Sequence, residues 1–253
     1  YEISECLVGS EMCIRDRYRG IGFCQKGRAE MAPIIHTVNL RKVYAVGKER
    51  VVALNDVSIP IEKGEFCCIV GQSGSGKSTL LNQLAGLEKP TRGKVFIGSH
   101  EISAMTEDEL AKFRQAHLGF IFQSYNLLPT MTAAENVALP LMFKGISRSQ
   151  RLAMARALLH DSPIYVFDEA TSNVDAESEN DMMKAIHSLA GKKTVILISH
   201  RLANVVDSDC IYVLEAGCIA EQGTHNDLLA AQGVYSRLYN AQKQLEDLGE
   251  VSA

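Results

Sequence analysis

Short, unbroken apolar runs punctuate the chain at residues 66–70, 119–122, 164–167, 194–198 and 210–214. Runs this short that do not alternate with polar residues predict strands buried on both faces, as in a parallel sheet. Helices are predicted over 77–86, 107–115, 152–159, 177–189 and 226–231. Ahead of these units, residues 34–40 and 51–61 read as strands joined by a charged turn at 47–50, and 94–97 as a further strand. The expectation is an α/β fold with a mostly parallel central sheet and an N-terminal antiparallel β layer. Residues 1–30 follow neither period, so the folded domain is expected over 31–246, followed by a tail at 247–253. Residues 1–17 resemble translated adapter DNA joined to a reading frame, which makes Met31 the expected start. A disordered natural extension is the other reading.

A chain of 253 residues has room for a sizeable core, and 46% hydrophobic with 22% charged residues suits a soluble globular domain. The formal net charge of −4 provides no overall basic field, so no nucleic-acid partner is expected. No apolar run approaches the roughly 20 residues needed to cross a bilayer, so the chain is not expected to span a membrane alone. Seven cysteines, an odd number without C-x-x-C spacing, point to a reducing cytoplasm rather than a disulfide framework or a zinc ribbon.

The chemistry begins where residues 66–70 run into Gly71-Gln72-Ser73-Gly74-Ser75-Gly76-Lys77-Ser78, which satisfies G-x-x-x-x-G-K-[ST] at each fixed position. Glycines let such a loop curl so that several N–H groups aim at phosphate oxygens, and the positive end of the next helix adds to the attraction. Lys77 is expected to neutralise the β- and γ-phosphates, with Ser78 placing its hydroxyl on Mg²⁺. A carboxylate for that ion is expected from Asp168, which closes the run 164–167 and is followed by Glu169. Glu169 is then placed to polarise a water attacking the γ-phosphate. Together these give a P-loop nucleotide-binding fold with ATP and Mg²⁺ as ligands, and Gly71, Ser73, Gly74, Ser75, Gly76, Lys77, Ser78 and Thr79 as the binding loop.

On these residues the stretch from Pro33 to Gln242 resembles the nucleotide-binding cassette of ABC transporters. The resemblance implies that Tyr44 stacks on adenine and that Gln123 touches Mg²⁺ or the lytic water. It also implies that Asp175, in Ser172-Asn173-Val174-Asp175, belongs to a loop crossing to a second cassette, and that His200 contacts the γ-phosphate. A transmembrane permease and a second cassette are the implied partners, which places the chain at the inner face of the cell membrane. One feature departs from the family. The L-S-G-G-Q signature expected before Gln150-Arg151 is replaced by Lys144-Gly145-Ile146-Ser147-Arg148-Ser149. The 90 positions from Ser78 to Asp168 are also some tens fewer than in the family, so the helical subdomain is expected to be truncated.

The front half resembles lipoprotein-release and macrolide-export cassettes and the back half exporter-fused cassettes, with a junction expected at 147–151. Two other readings stay open here: a catalytically silent nucleotide-binding module, and a soluble P-loop ATPase of DNA repair or translation.

Overall fold

A computed structural model describes residues 33–121, 130, 162–168 and 176–250, without the side chains of 176–178 and 246–250. Two sheets share one hydrophobic core, and a second cluster lies on the opposite face of one of them. The first is antiparallel and contains β1 (Ile35–Val46), β2 (Glu49–Val57), β3 (Pro60–Ile61), β5 (Arg92–Ile97) and β6 (His100–Glu101), ordered β2-β1-β5-β6 with β3 also on β1. The second runs β11-β10-β4-β9-β8-β7. It uses β4 (Phe66–Gly71), β7 (Leu118–Ile121), β8 (Ile164–Asp168), β9 (Thr194–Ile198), β10 (Cys210–Glu215) and β11 (Cys218–Gly223). Its strands are parallel except for β11, which returns antiparallel along β10.

The unbroken apolar runs behave as their composition requires, since every residue of β9 and Phe66–Val70 of β4 is buried. Leu80, Leu81 and Leu84 of α1 (Lys77–Leu84) pack into the core against Ile69, Ile196 and Ile198. At roughly 1.5–3 kcal/mol per fully buried aliphatic side chain, this contact alone is large enough to fix α1 on the sheet. The helix ends at Leu84, two residues short of the expected limit, ahead of Gly86 at φ 61. Helix α2 (Glu107–His117) starts with a reciprocal capping box between Thr106 and Glu109. Helix α3 (Ala176–His187) precedes β9, and α4 (His225–Ala230) follows β11.

Three expectations need correction. The first strand extends beyond 40 to Val46, so it contains Tyr44. The run 51–61 divides into β2 and β3 at residues 58–59, shortly after Asp56, which adopts φ 60 and whose carboxylate accepts from Asn39 Nδ2 at 2.5 Å. The strand β11 and the long helix α5 (Val234–Glu250) are additions. Helix α5 seats Tyr235, Leu238 and Tyr239, at i, i+3 and i+4, against the second cluster, and the tail expected from 247 begins within it. The predicted helix 152–159, Phe122 and the junction at 147–151 lie outside the described residues. No described helix is long and apolar enough to cross a membrane.

Candidate functional site

Strand order sets the site. In the central sheet β9 lies between β4 and β8, with Ile69 beside Ile198 and Ile198 beside Asp168. The loop after β4, the carboxylate ending β8 and the segment after β9 therefore open on one edge, at the carboxyl ends of parallel strands. Ala53, Ser73, Gly74, Gly76, Lys77, Ser78, Thr79 and His200 line a cleft of about 210 Å³ there.

Backbone conformation shapes the loop. Gly71 has φ 150 and Gly76 φ 104, both in the region that disfavours side chains. A Cβ on Gly71 would lie 2.2 Å from the Leu214 carbonyl oxygen, and one on Gly76 would lie 2.5 Å from that of Ala53. Side chains are therefore excluded by packed backbone as well as by dihedral angle. The antiparallel layer and the β10–β11 turn stitch the loop from outside: Gly217 N donates to Ser75 O at 3.0 Å, and Asn55 N donates to Gly217 O at 2.9 Å. Gly76 caps α1 without a side-chain hydrogen bond, so no side chain competes for the amides of the first turn.

Lys77 is 5% exposed, and its ammonium donates to the carbonyls of Gly71 and Gln72 at 3.0 Å each. The cation thus sits across the mouth of the loop. Ser75 is buried, and its Oγ has no hydrogen-bond partner among the described residues. Ser78 Oγ donates to Asp168 Oδ1 across 3.5 Å. Neighbouring oxygens in an octahedral magnesium shell stand about 2.9 Å apart, and both groups are the hard oxygen donors this ion takes. The pair fits a magnesium site completed by phosphate oxygens and water.

Tyr44 stands beyond the cleft lining. Its hydroxyl donates to Glu88 Oε2 at 2.6 Å, Lys42 pairs with Glu88 at 3.2 Å, and the Lys42 ammonium lies 5.1 Å from the ring centroid. Burial first, and then the hydrogen bond to Glu88, push its phenol above the usual value, while a hydrogen bond to Thr79 pulls the other way.

Of the expected site residues, the structure brings Ser73, Gly74, Gly76, Lys77, Ser78, Thr79 and His200 around the cleft, and sets Asp168 against Ser78. Gln123, Glu169 and Asp175 lie outside the described residues. Ala53 escaped sequence reasoning because its place in the cleft comes from the packing of β2 over the loop, which leaves no local motif. Glu88 and Lys42, the partners of Tyr44, lacked a signal for the same reason.

A family model described as ABC transporter matches residues 54–150. An ABC transporter ATP-binding protein of Thermotoga maritima is 35% identical over 221 positions, covering 75% of this chain and 94% of that protein. One from Haemophilus influenzae is 34% identical over 247 positions, covering 85% of this chain but only 44% of that protein. Among solved structures, a dimeric ATP-binding cassette in a post-hydrolysis state with ADP and Pi matches with TM-score 0.68 and 33% identity. It covers 74% of this chain and 97% of that one. Set against 75% of 253 residues, the 221 positions of the Thermotoga match leave about 30 without a counterpart here. The Haemophilus match leaves about as many. The loop geometry, the edge on which it opens and near-complete coverage of the Thermotoga protein agree: the chain belongs to the ABC transporter family of ATP-binding cassettes.

Proposed function

We propose that this chain is the ATP-binding subunit of an ABC transporter, which binds Mg·ATP at residues 71–78 and hydrolyses it to ADP and phosphate to drive transport through a separate transmembrane permease. The observation that carries the reading is the convergence of the glycine loop, Lys77, the Ser78–Asp168 pair and His200 on one sheet edge. Loop N–H groups and the first turn of α1 would donate to phosphate oxygens, donors that need no rearrangement when charge develops. Lys77 would offset the phosphate charge from within the same loop. When bound, Mg²⁺ would be held by Ser78 and Asp168 and would supply further neutralisation of phosphate charge. Tyr44, fixed by Glu88, would stack on the base, a contact worth about 1–3 kcal/mol. By resemblance Glu169 orients the lytic water, Gln123 completes the metal shell and senses the permease, and Asp175 reaches a second cassette. The chain would thus be peripheral at the inner face of the membrane.

A second reading is favoured by one specific observation. The signature is missing from the residues before Gln150, and about 30 positions of the Thermotoga relative have no counterpart here. In this family ATP lies between the loop of one cassette and the signature of another, and losing one pre-aimed donor costs about 10²–10³ in rate. A homodimer of this chain would then hold nucleotide and turn it over slowly.

Steady-state phosphate release tests both readings. Slow release by the chain alone is expected, rising when a cassette with an intact signature is mixed in, with the gain lost in Lys77→Ala and in Glu169→Gln. Brisk Lys77-dependent turnover without a partner would show that the signature is dispensable, and no gain on mixing would favour the silent module.

A further inference from the structure

Glu179 on α3 is a carboxylate 3% exposed, which is costly unless its charge is met. Both of its oxygens are used, and both partners follow His200: Arg201 Nη1 donates to Oε2, and Asn204 Nδ2 donates to Oε1 at 2.9 Å. A third tie comes from α5, where Gln242 Oε1 accepts from Leu202 N at 3.0 Å. On the other side of the histidine, Ser199 is 5% exposed, and its hydroxyl spans the gap by donating to Arg201 O at 3.0 Å and accepting from Arg201 N at 3.1 Å. His200 itself is exposed and lines the cleft. An exposed imidazole therefore projects from a backbone gripped on both sides.

We propose that Glu179 is a positioning residue for His200: its carboxylate, by holding Arg201 and Asn204 together, sets where the imidazole stands over the phosphate loop. The claim rests on the proposed nucleotide reading for its function, but the geometry stands apart from it. Arg201 is 55% exposed along its side chain, so its ion pair is not needed to fill the core. A buried carboxylate that only supported the fold would be indifferent to the state of the cleft. One that positions His200 changes how the cleft reads a terminal phosphate.

The test uses the full chain and two variants, E179Q, which keeps the size and loses the charge, and R201A, which removes the partner from the exposed side and spares the core. Histidine-labelled NMR, with the His200 ring signal identified by its loss in H200A, is read first without nucleotide. Displacement of that signal in both variants, with the other histidines unmoved, is expected. An unchanged His200 signal in both would overturn the proposal. Calorimetric affinities for ATP and ADP follow. The ratio favouring ATP is expected to fall in E179Q by about tenfold, to the level of H200A, with no further fall in the double variant, as for residues acting as one unit. Additive losses would contradict it. If the parent chain fails to bind ATP, the nucleotide reading fails while the NMR arm still decides the positioning claim.

Discussion

At the end of β4 the phosphate loop is shaped by backbone, with glycines at φ 150 and 104, carbonyls of Leu214 and Ala53 that leave no room for a Cβ, and a lysine folded back on carbonyls five and six residues away. At the end of the adjacent strand β9, His200 is held by side chains from α3 and α5, 21 and 42 residues distant in sequence. The two regions share one sheet edge and one cleft, yet the first is shaped by backbone, its own and that of β2 and the β10–β11 turn, and the second by side chains. A backbone-shaped loop fails when a Cβ is forced into it. A side-chain support fails when any of its remote partners is lost.

The difference can be broken most severely at Gly71. Gly71→Ala forces a Cβ to within 2.2 Å of Leu214 O, and backbone cannot yield as a side-chain tip can. A loss of about 3 kcal/mol in urea unfolding is expected, together with loss of nucleotide binding. Unchanged stability would mean that the loop is not rigidly set.

A smaller effect is expected at the remote support of His200. Helix α5 starts with the amides of Val234 and Tyr235 donating to the Glu221 carboxylate, and Gly233 leaves space for it because a Cβ there would overlap that group. Glu221→Ala is expected to cost about 1–2 kcal/mol. It should also speed hydrogen exchange at Leu202, whose amide depends on Gln242 of the same helix, while exchange in the phosphate loop stays as it was. Equal acceleration in both regions would erase the distinction drawn between them.

The smallest effect lies in the antiparallel layer and serves as a control for both regions. His36 stacks on Phe96 with ring centroids 4.5 Å apart, and burial lowers its pKa below 6.5. On acidification the unfolded state takes up this proton first, so stability falls as the pH drops through about 6.5 towards the folded value and is level above it. Comparing urea midpoints of the parent and His36→Gln across that interval should show a shallower decline in the variant. A parallel decline would assign the acid sensitivity to other groups.

Legibility in the sequence follows the same division. The eight residues 71–78 carry their chemistry in order, and the strand 164–167 announces its terminal acid, so the loop and Asp168 are legible from the order of residues alone. Buried parallel strands are legible too, because unbroken apolar runs have few alternatives. The partners Glu179, Arg201, Glu88 and Ala53 are silent, since each acts through a contact across 22 to 44 or more residues or through packing of one sheet on another. Helix α5 does leave a trace, in the spacing of Tyr235, Leu238 and Tyr239.

The central claim is that a nucleotide is held by the 71–78 loop through its cation. It is tested most directly by titrating Mg·ATP calorimetrically into the full chain and into Lys77→Ala, with folding of both checked by circular dichroism. The account predicts saturable binding by the parent and an affinity at least about tenfold lower in the variant, the order of one lost charge-assisted contact. Equal affinities in two equally folded proteins would contradict it.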